Sequence, residues 1–201
     1  MENNYAIQAL RARERFLTYD QEGLIRKLSL PFDDTFLYPT LLATPYRIHR
    51  ATGEIGRQTE NGWVPAGYDE VMTLLDLVCD SREDRVLRHR WKAMGEFGHL
   101  FHQSLLEGED PWARKFQDSP EAFCRACQAL GGRRLSQGDI AYAIELFDGL
   151  PIALVLWFGD EEFPPALRFL WDENALQYLK YETMYFARNL LLEAISGNME
   201  A

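Results

Sequence analysis

DIAYAIELFDGLPIALVLWF, residues 139–158, is the stretch whose reading decides the fold. Asp148-Gly149-Leu150-Pro151 separates two strand-like runs, and Asp-Gly is a strong signal for a tight hairpin turn. The second run is apolar at both parities: Ile152, Leu154 and Leu156 fall on one face, Ala153, Val155 and Trp157 on the other. A strand with two apolar faces is covered on both sides, so 152–158 is predicted to be a central strand of a mainly antiparallel sheet. After Gly159 and two consecutive prolines, ALRFLWD (166–172) resumes as a strand nearer an edge. Leu167, Phe169 and Trp171 share one side of it, with Arg168 and Asp172 toward the other.

Working outward, helices are predicted to cover this sheet. In SPEAFCRACQALGG, Ser119 is placed to cap a helix, Pro120 suits its first turn, and Gly131 can take the left-handed conformation that ends it. YETMYFARNLLLEAIS carries Met184, Ala187, Leu191 and Ile195 on one stripe, an amphipathic helix near the end of the chain. DEVMTLLDLVCD (69–80) sets Val71, Leu75 and Val78 on one helical face. Tyr5 to Phe16 reads as a helix offering Ala6, Ala9, Leu10 and Phe16 for burial. LIRKLSL (24–30) reads as a short strand, and YRIHRATGEIGRQ as a hairpin turning at Gly53. The expected fold class is α+β: one mainly antiparallel sheet covered by amphipathic helices, a single domain over residues 1–201.

Composition bounds the function. Nearly half of the 201 residues are apolar, enough for a sizeable core, with no internal repeat or long Gly/Ser linker. A net charge of −10 repels phosphate backbones and anionic lipid, so neither nucleic acid nor membrane is an expected partner. The densest basic stretch, SREDRVLRHRWK (81–92), is diluted by Glu83 and Asp84 and reads as a solvated face. No apolar run approaches the roughly 18 residues of a membrane span, and the beginning of the sequence lacks an apolar secretory core, so a cytoplasmic location is expected. Cys79, Cys124 and Cys127 are an odd number, unlike a secreted disulfide framework.

The chemistry concentrates in WFGDEEFPPALRFLWD (157–172). Were 160–162 extended, Asp160 and Glu162 would share a side with Glu161 opposite, an arrangement that metal binding or acid/base catalysis could use. Acidic residues at a sheet edge also discourage pairing with another chain, and that role is the preferred one.

The residues FCRACQALGG, GDIAYAIELFDGLP, WFGDEEFPPALRFLWDENAL and YETMYFA together resemble the uncharacterised prokaryotic family called domain of unknown function 3786. YRIHRATGEI and YDEVMTLLDLVC fit more loosely, so the likeness spans roughly residues 40–195. It implies a cytoplasmic domain, often from anaerobes, with no activity to carry over. It also implies relatives with extra cysteines after the position of Cys79, or joined to iron–sulfur modules. This chain has DSREDRVLRHRWKAMGEF there, without a further cysteine, which weakens any inherited cluster.

Metal chemistry has little support from spacing. Cys124 and Cys127 have half the ligands of a structural site, and within a helix they are better read as small packing groups. His99 and His102 share a helical spacing without an H-E-x-x-H pattern, and no metal site is expected. No G-x-S-x-G elbow, Walker loop or dinucleotide fingerprint occurs, and LGGRR (130–134) reads as a helix end followed by solvated arginines. Two functions remain. One is a binding or accessory domain whose ligand contacts would come from Trp157, Asp160, Glu161, Glu162, Trp171, Asp172 and Tyr181, with a small molecule or protein as partner. The alternative is a metal-assisted or acid/base enzyme using the same carboxylates. No cofactor and no oligomeric state follows from the residues.

Overall fold

The computed structural model describes residues 4–98 and 110–200; His99 and His102 lie outside them. The chain forms helices and two antiparallel sheets, an α+β fold, in two compact units: residues up to Val86 with Leu176–Leu190, and Leu87–Ala175 with the residues from Leu191 onward.

The first unit begins with α1 (Asn4–Phe16) and α2 (Gln21–Leu28). Its sheet is built from β1 (Phe36–Leu37), β2 (Thr40–Leu41), β3 (Thr44–His49), β4 (Ile55–Thr59) and β5 (Gly62–Pro65), ordered β1-β3-β4-β5 with β2 also paired to β3. The predicted hairpin is β3–β4, with Gly53 at φ 68° in its turn. Leu37, Ile48 and Ile55 align across three strands and are buried together on one face. Helix α3 (Tyr68–Asp80) follows and packs against α1 and α2, burying Val71, Leu74, Leu75 and Val78.

Two sequence expectations fail in this unit. Residues 24–30 are not a strand: Leu24, Ile25 and Leu28 are buried from α2, which ends at Ser29 in a left-handed conformation, φ 50°. A short apolar run fits both periods, and here i, i+1, i+4 burial against α3 prevails over alternation. In α1 only Phe16 is buried; Ala6 and Leu10 face solvent, so the apolar stripe expected there is largely unused.

In the second unit, β6 (Trp91–Ala93), β7 (Arg133–Leu135), β8 (Ile140–Phe147), β9 (Leu150–Trp157) and β10 (Ala166–Asp172) form a sheet ordered β6-β10-β9-β8-β7. The predicted central strand is β9, with Ile152 through Leu156 fully buried. β10 lies one strand from the edge, as its polar positions suggested. Asp148 (φ 49°) and Gly149 (φ 78°) are both left-handed, the backbone of the turn that matches strand twist in a two-residue hairpin. Helices α4 (Pro111–Asp118) and α5 (Pro120–Ala129) cover one face: α4 packs on β9 and β10, α5 on β8. Phe116 stacks on Phe123 at 4.6 Å, and Phe123 meets Tyr142 edge-on. Ser119 does precede α5, but its side chain makes no capping bond; Pro120 and Gly131 (φ 74°) sit as expected. The last helix, α6 (Tyr181–Glu200), belongs to the first unit up to Leu190 and to the second from Leu191, and buries Met184, Ala187, Leu191 and Ile195. Edge strand β6 takes in Trp91 and Lys92, the last two residues of the stretch read as a solvated charged face.

Candidate functional site

The connection between β9 and β10 is a hydrogen-bonded turn. Asp160 Oδ1 accepts hydrogen bonds from the backbone N–H of Glu162 at 2.8 Å and of Phe163 at 2.9 Å. The Asp160 N–H donates in turn to the Phe163 carbonyl. This is an aspartate closing its own turn, so 160–162 is not extended and Asp160 does not share a strand side with Glu162. Those two backbone N–H groups hold the Asp160 carboxyl below the usual carboxylate range. Neighbouring donors are also taken: Phe158 N–H bonds Asp139 Oδ2, and Gly159 N–H bonds Gln117 Oε1 from α4. Gly159 must be small, since a Cβ there would stand 2.6 Å from the Pro165 nitrogen.

Pinning this loop to α4 leaves a groove of about 510 Å³, lined by Arg114 and Gln117 of the helix and by residues 159–165. Asp160, Glu161 and Glu162 line it with Phe163, which is 67% exposed. Neither Glu161 nor Glu162 is paired with a cation among the described residues. Trp157, at the adjoining end of β9, is 37% exposed and carries the Arg168 guanidinium over its ring at 5.3 Å.

The other sequence candidates lie elsewhere. Trp171 is fully buried in the core of the second unit, and Asp172 is 2% exposed. The Asp172 oxygens accept from the backbone N–H groups of Arg88, His89 and Asn174. This carboxylate therefore organises the 88–89 backbone and the turn after β10. The strand Ala166–Asp172 separates it from the groove by about 20 Å at the usual rise per residue, so Asp160 and Asp172 do not converge. Tyr181 opens α6 in the first unit, edge-on to Tyr185. Of the seven candidates, only Asp160, Glu161 and Glu162 line one groove, with Trp157 at the adjoining strand end. Sequence reasoning missed Arg114 and Gln117. The signal was Asp110 before Pro111, a helix start: Asp110 Oδ1 caps the Trp112 N–H at 2.9 Å.

Among the described residues, no three His, Cys, Asp or Glu side chains are grouped so as to hold a metal ion, and no helix is long and apolar enough to cross a membrane. Cys127 is buried, which pushes its thiol far up; Cys124 is half-buried, with its sulfur 3.3 Å from Arg134 Nη1. Neither a curated protein nor a solved structure matches the chain. A family model does match, over residues 20–194, and it begins well before the span near residue 40 where the sequence likeness was placed. The chain belongs to the family described as a domain of unknown function, DUF3786.

Proposed function

We propose that this is a binding domain whose groove between α4 and the 159–165 loop takes a basic, partly apolar segment of a protein partner. The observation that carries it is the combination of two exposed carboxylates, Glu161 and Glu162, paired with no cation among the described residues, with the exposed Phe163 ring on a turn closed by Asp160 hydrogen bonds. A loop on a rigid scaffold is where recognition groups are usually carried. The carboxylates attract a guanidinium or ammonium, and the ring offers apolar area beside it.

Binding is favoured over catalysis by the same carboxylates because Asp172 spends both oxygens and Asp160 its Oδ1 on backbone N–H groups, and the length of β10 lies between them. The proposal includes a cytoplasmic setting, where the three unpaired cysteines stay reduced, and excludes nucleic acid on charge.

The test is calorimetric titration with hexapeptides of alternating arginine and phenylalanine, against aspartate–phenylalanine controls. Saturable, salt-sensitive binding of the basic peptide alone is expected, weakened at least about tenfold in the Glu161→Gln, Glu162→Gln double variant. Equal binding by the double variant, or no saturable binding at all, would sink the proposal.

A further inference from the structure

The first unit holds a second constellation, on the sheet face opposite its core. Along β3, Tyr46 and Ile48 point inward, so Arg47 and His49 point to the other side. The Arg47 guanidinium lies over two rings: Phe36 at 4.7 Å and Trp63 at 4.8 Å to the centroids. Phe36 is on β1 and Trp63 on β5, and these strands lie on opposite sides of β3, so the rings approach the guanidinium from two sides. The floor is Gly56, the cross-strand partner of Arg47. A Cβ at Gly56 would meet Arg47 Nε at 3.2 Å and Trp63 Cε3 at 3.6 Å, so the missing side chain is what lets the arginine lie flat across β4 to reach the indole.

This arrangement orients the arginine without satisfying it. Contact with a ring consumes none of a guanidinium's five N–H donors. In a chain with 31 Asp and Glu residues, no acceptor among the described residues takes a hydrogen bond from the Arg47 guanidinium. His49, two residues along the same face, stands edge-on to Phe36 at 5.2 Å and accepts the Ala51 N–H at Nδ1, which leaves Nε2 as the donor of the neutral ring.

We propose that Arg47, clamped between Phe36 and Trp63 over Gly56, is an oxyanion-binding site for a ligand carrying one phosphate or carboxylate on an apolar body. A preoriented guanidinium matches the paired oxygens of either group, and the flanking rings supply the apolar contact. The net charge of −10 penalises polyanions at long range and a singly anionic ligand much less, which favours one oxyanion over a nucleic acid chain. This site is independent of the groove in the second unit.

The experiment is an NMR titration of the full ¹⁵N-labelled chain with phenyl phosphate, with phenylacetate and with benzyl alcohol, following the Arg47 Nε–H and the Trp63 indole N–H. The expected result is a saturable, salt-sensitive shift of both signals with at least one of the two anions, whichever binds naming the preferred oxyanion, and none with the alcohol. Arg47→Met should abolish it. If that variant fails to fold, Arg47→Lys keeps the charge but loses the planar fork, and should bind at least about fivefold more weakly. Unsaturable drift with both anions, equal shifts with the alcohol, or wild-type binding by either variant would overturn the assignment.

Discussion

The backbone N–H of His89 donates to Asp172 Oδ2 over 2.6 Å, joining a left-handed residue (φ 56°) before β6 to the last residue of β10. Arg88 and Asn174 donate to the same buried carboxylate. An acidic residue that the sequence offered as a ligand contact thus ties the 88–89 backbone to the turn after β10. Replacing it by asparagine puts an amide donor where one acceptor oxygen stood. Asp172→Asn should destabilise the protein by about 2–4 kcal/mol, the range for a buried charge-assisted network losing a partner, measured by urea unfolding.

Asp80 sits in a network of the first unit with Arg15, Tyr19 and Lys180. Burial pushes its carboxyl up, but hydrogen bonds from Lys180 and Tyr19 outweigh that and hold it down at about 2, against an ordinary 3.8. A carboxyl whose folded value is depressed contributes stability above its unfolded value, and loses it as pH falls through the folded one. The urea midpoint should therefore drop between about pH 4 and pH 2, and Asp80→Asn should flatten that part of the profile. An unchanged slope in the variant would remove Asp80 from the acid transition.

Asp160 closes the 159–163 turn, and its replacement should act locally. In wild type, the amides of 152–156 should exchange slowest and those of Glu162 and Phe163 more slowly than the free N–H of an open loop. Asp160→Ala should accelerate Glu162 and Phe163 in hydrogen-exchange NMR while leaving β9 protection unchanged. Loss of protection across β9 would mean that the turn supports the sheet itself.

The three thiols should differ sharply toward a disulfide reagent. Burial pushes Cys79 to about 12 and Cys127 further still, whereas Cys124 is half-buried beside Arg134. One thiol should react quickly in the folded protein and the other two only on unfolding. Cys124→Ser should delete the fast phase in a stopped-flow trace.

Gly138 carries φ 59°, and a Cβ there would stand 2.7 Å from both the Leu156 carbonyl oxygen and Val155 Cγ1. Gly138→Ala should cost about 1–3 kcal/mol, combining left-handed strain with overpacking against the central strand. A calorimetric Tm equal to wild type would show that the loop before β8 yields freely.

Features governed by neighbours in sequence were legible in the sequence. The hairpin at Asp148-Gly149, the double-faced burial of 152–156, the helix start at Pro120 and the turn at Gly53 all rest on local periodicity and backbone chemistry, which act within a few residues. The run 24–30 shows the limit, because seven residues satisfy a period of two as well as one of 3.6 until α3 supplies a surface to bury against.

The candidate site divides the same way. That 159–165 would be a loop followed from Gly159 and the two prolines, and its acidic, aromatic content was plain in the letters. Only the tertiary structure decided which carboxylates share a groove: Asp160 folds back on its own turn, Glu161 and Glu162 line it with α4 residues 44 to 48 positions away, and Asp172 is carried to the far end of β10 to bind the backbone of 88–89. Likewise, nothing in the spacing of Phe36, Arg47, Gly56 and Trp63 announces that four strands lay them on one face. The physical reason is range. Turn and strand preferences are set by steric and hydrogen-bond terms between adjacent residues, whereas the direction and partners of a polar side chain depend on chain segments that meet only after the core has closed.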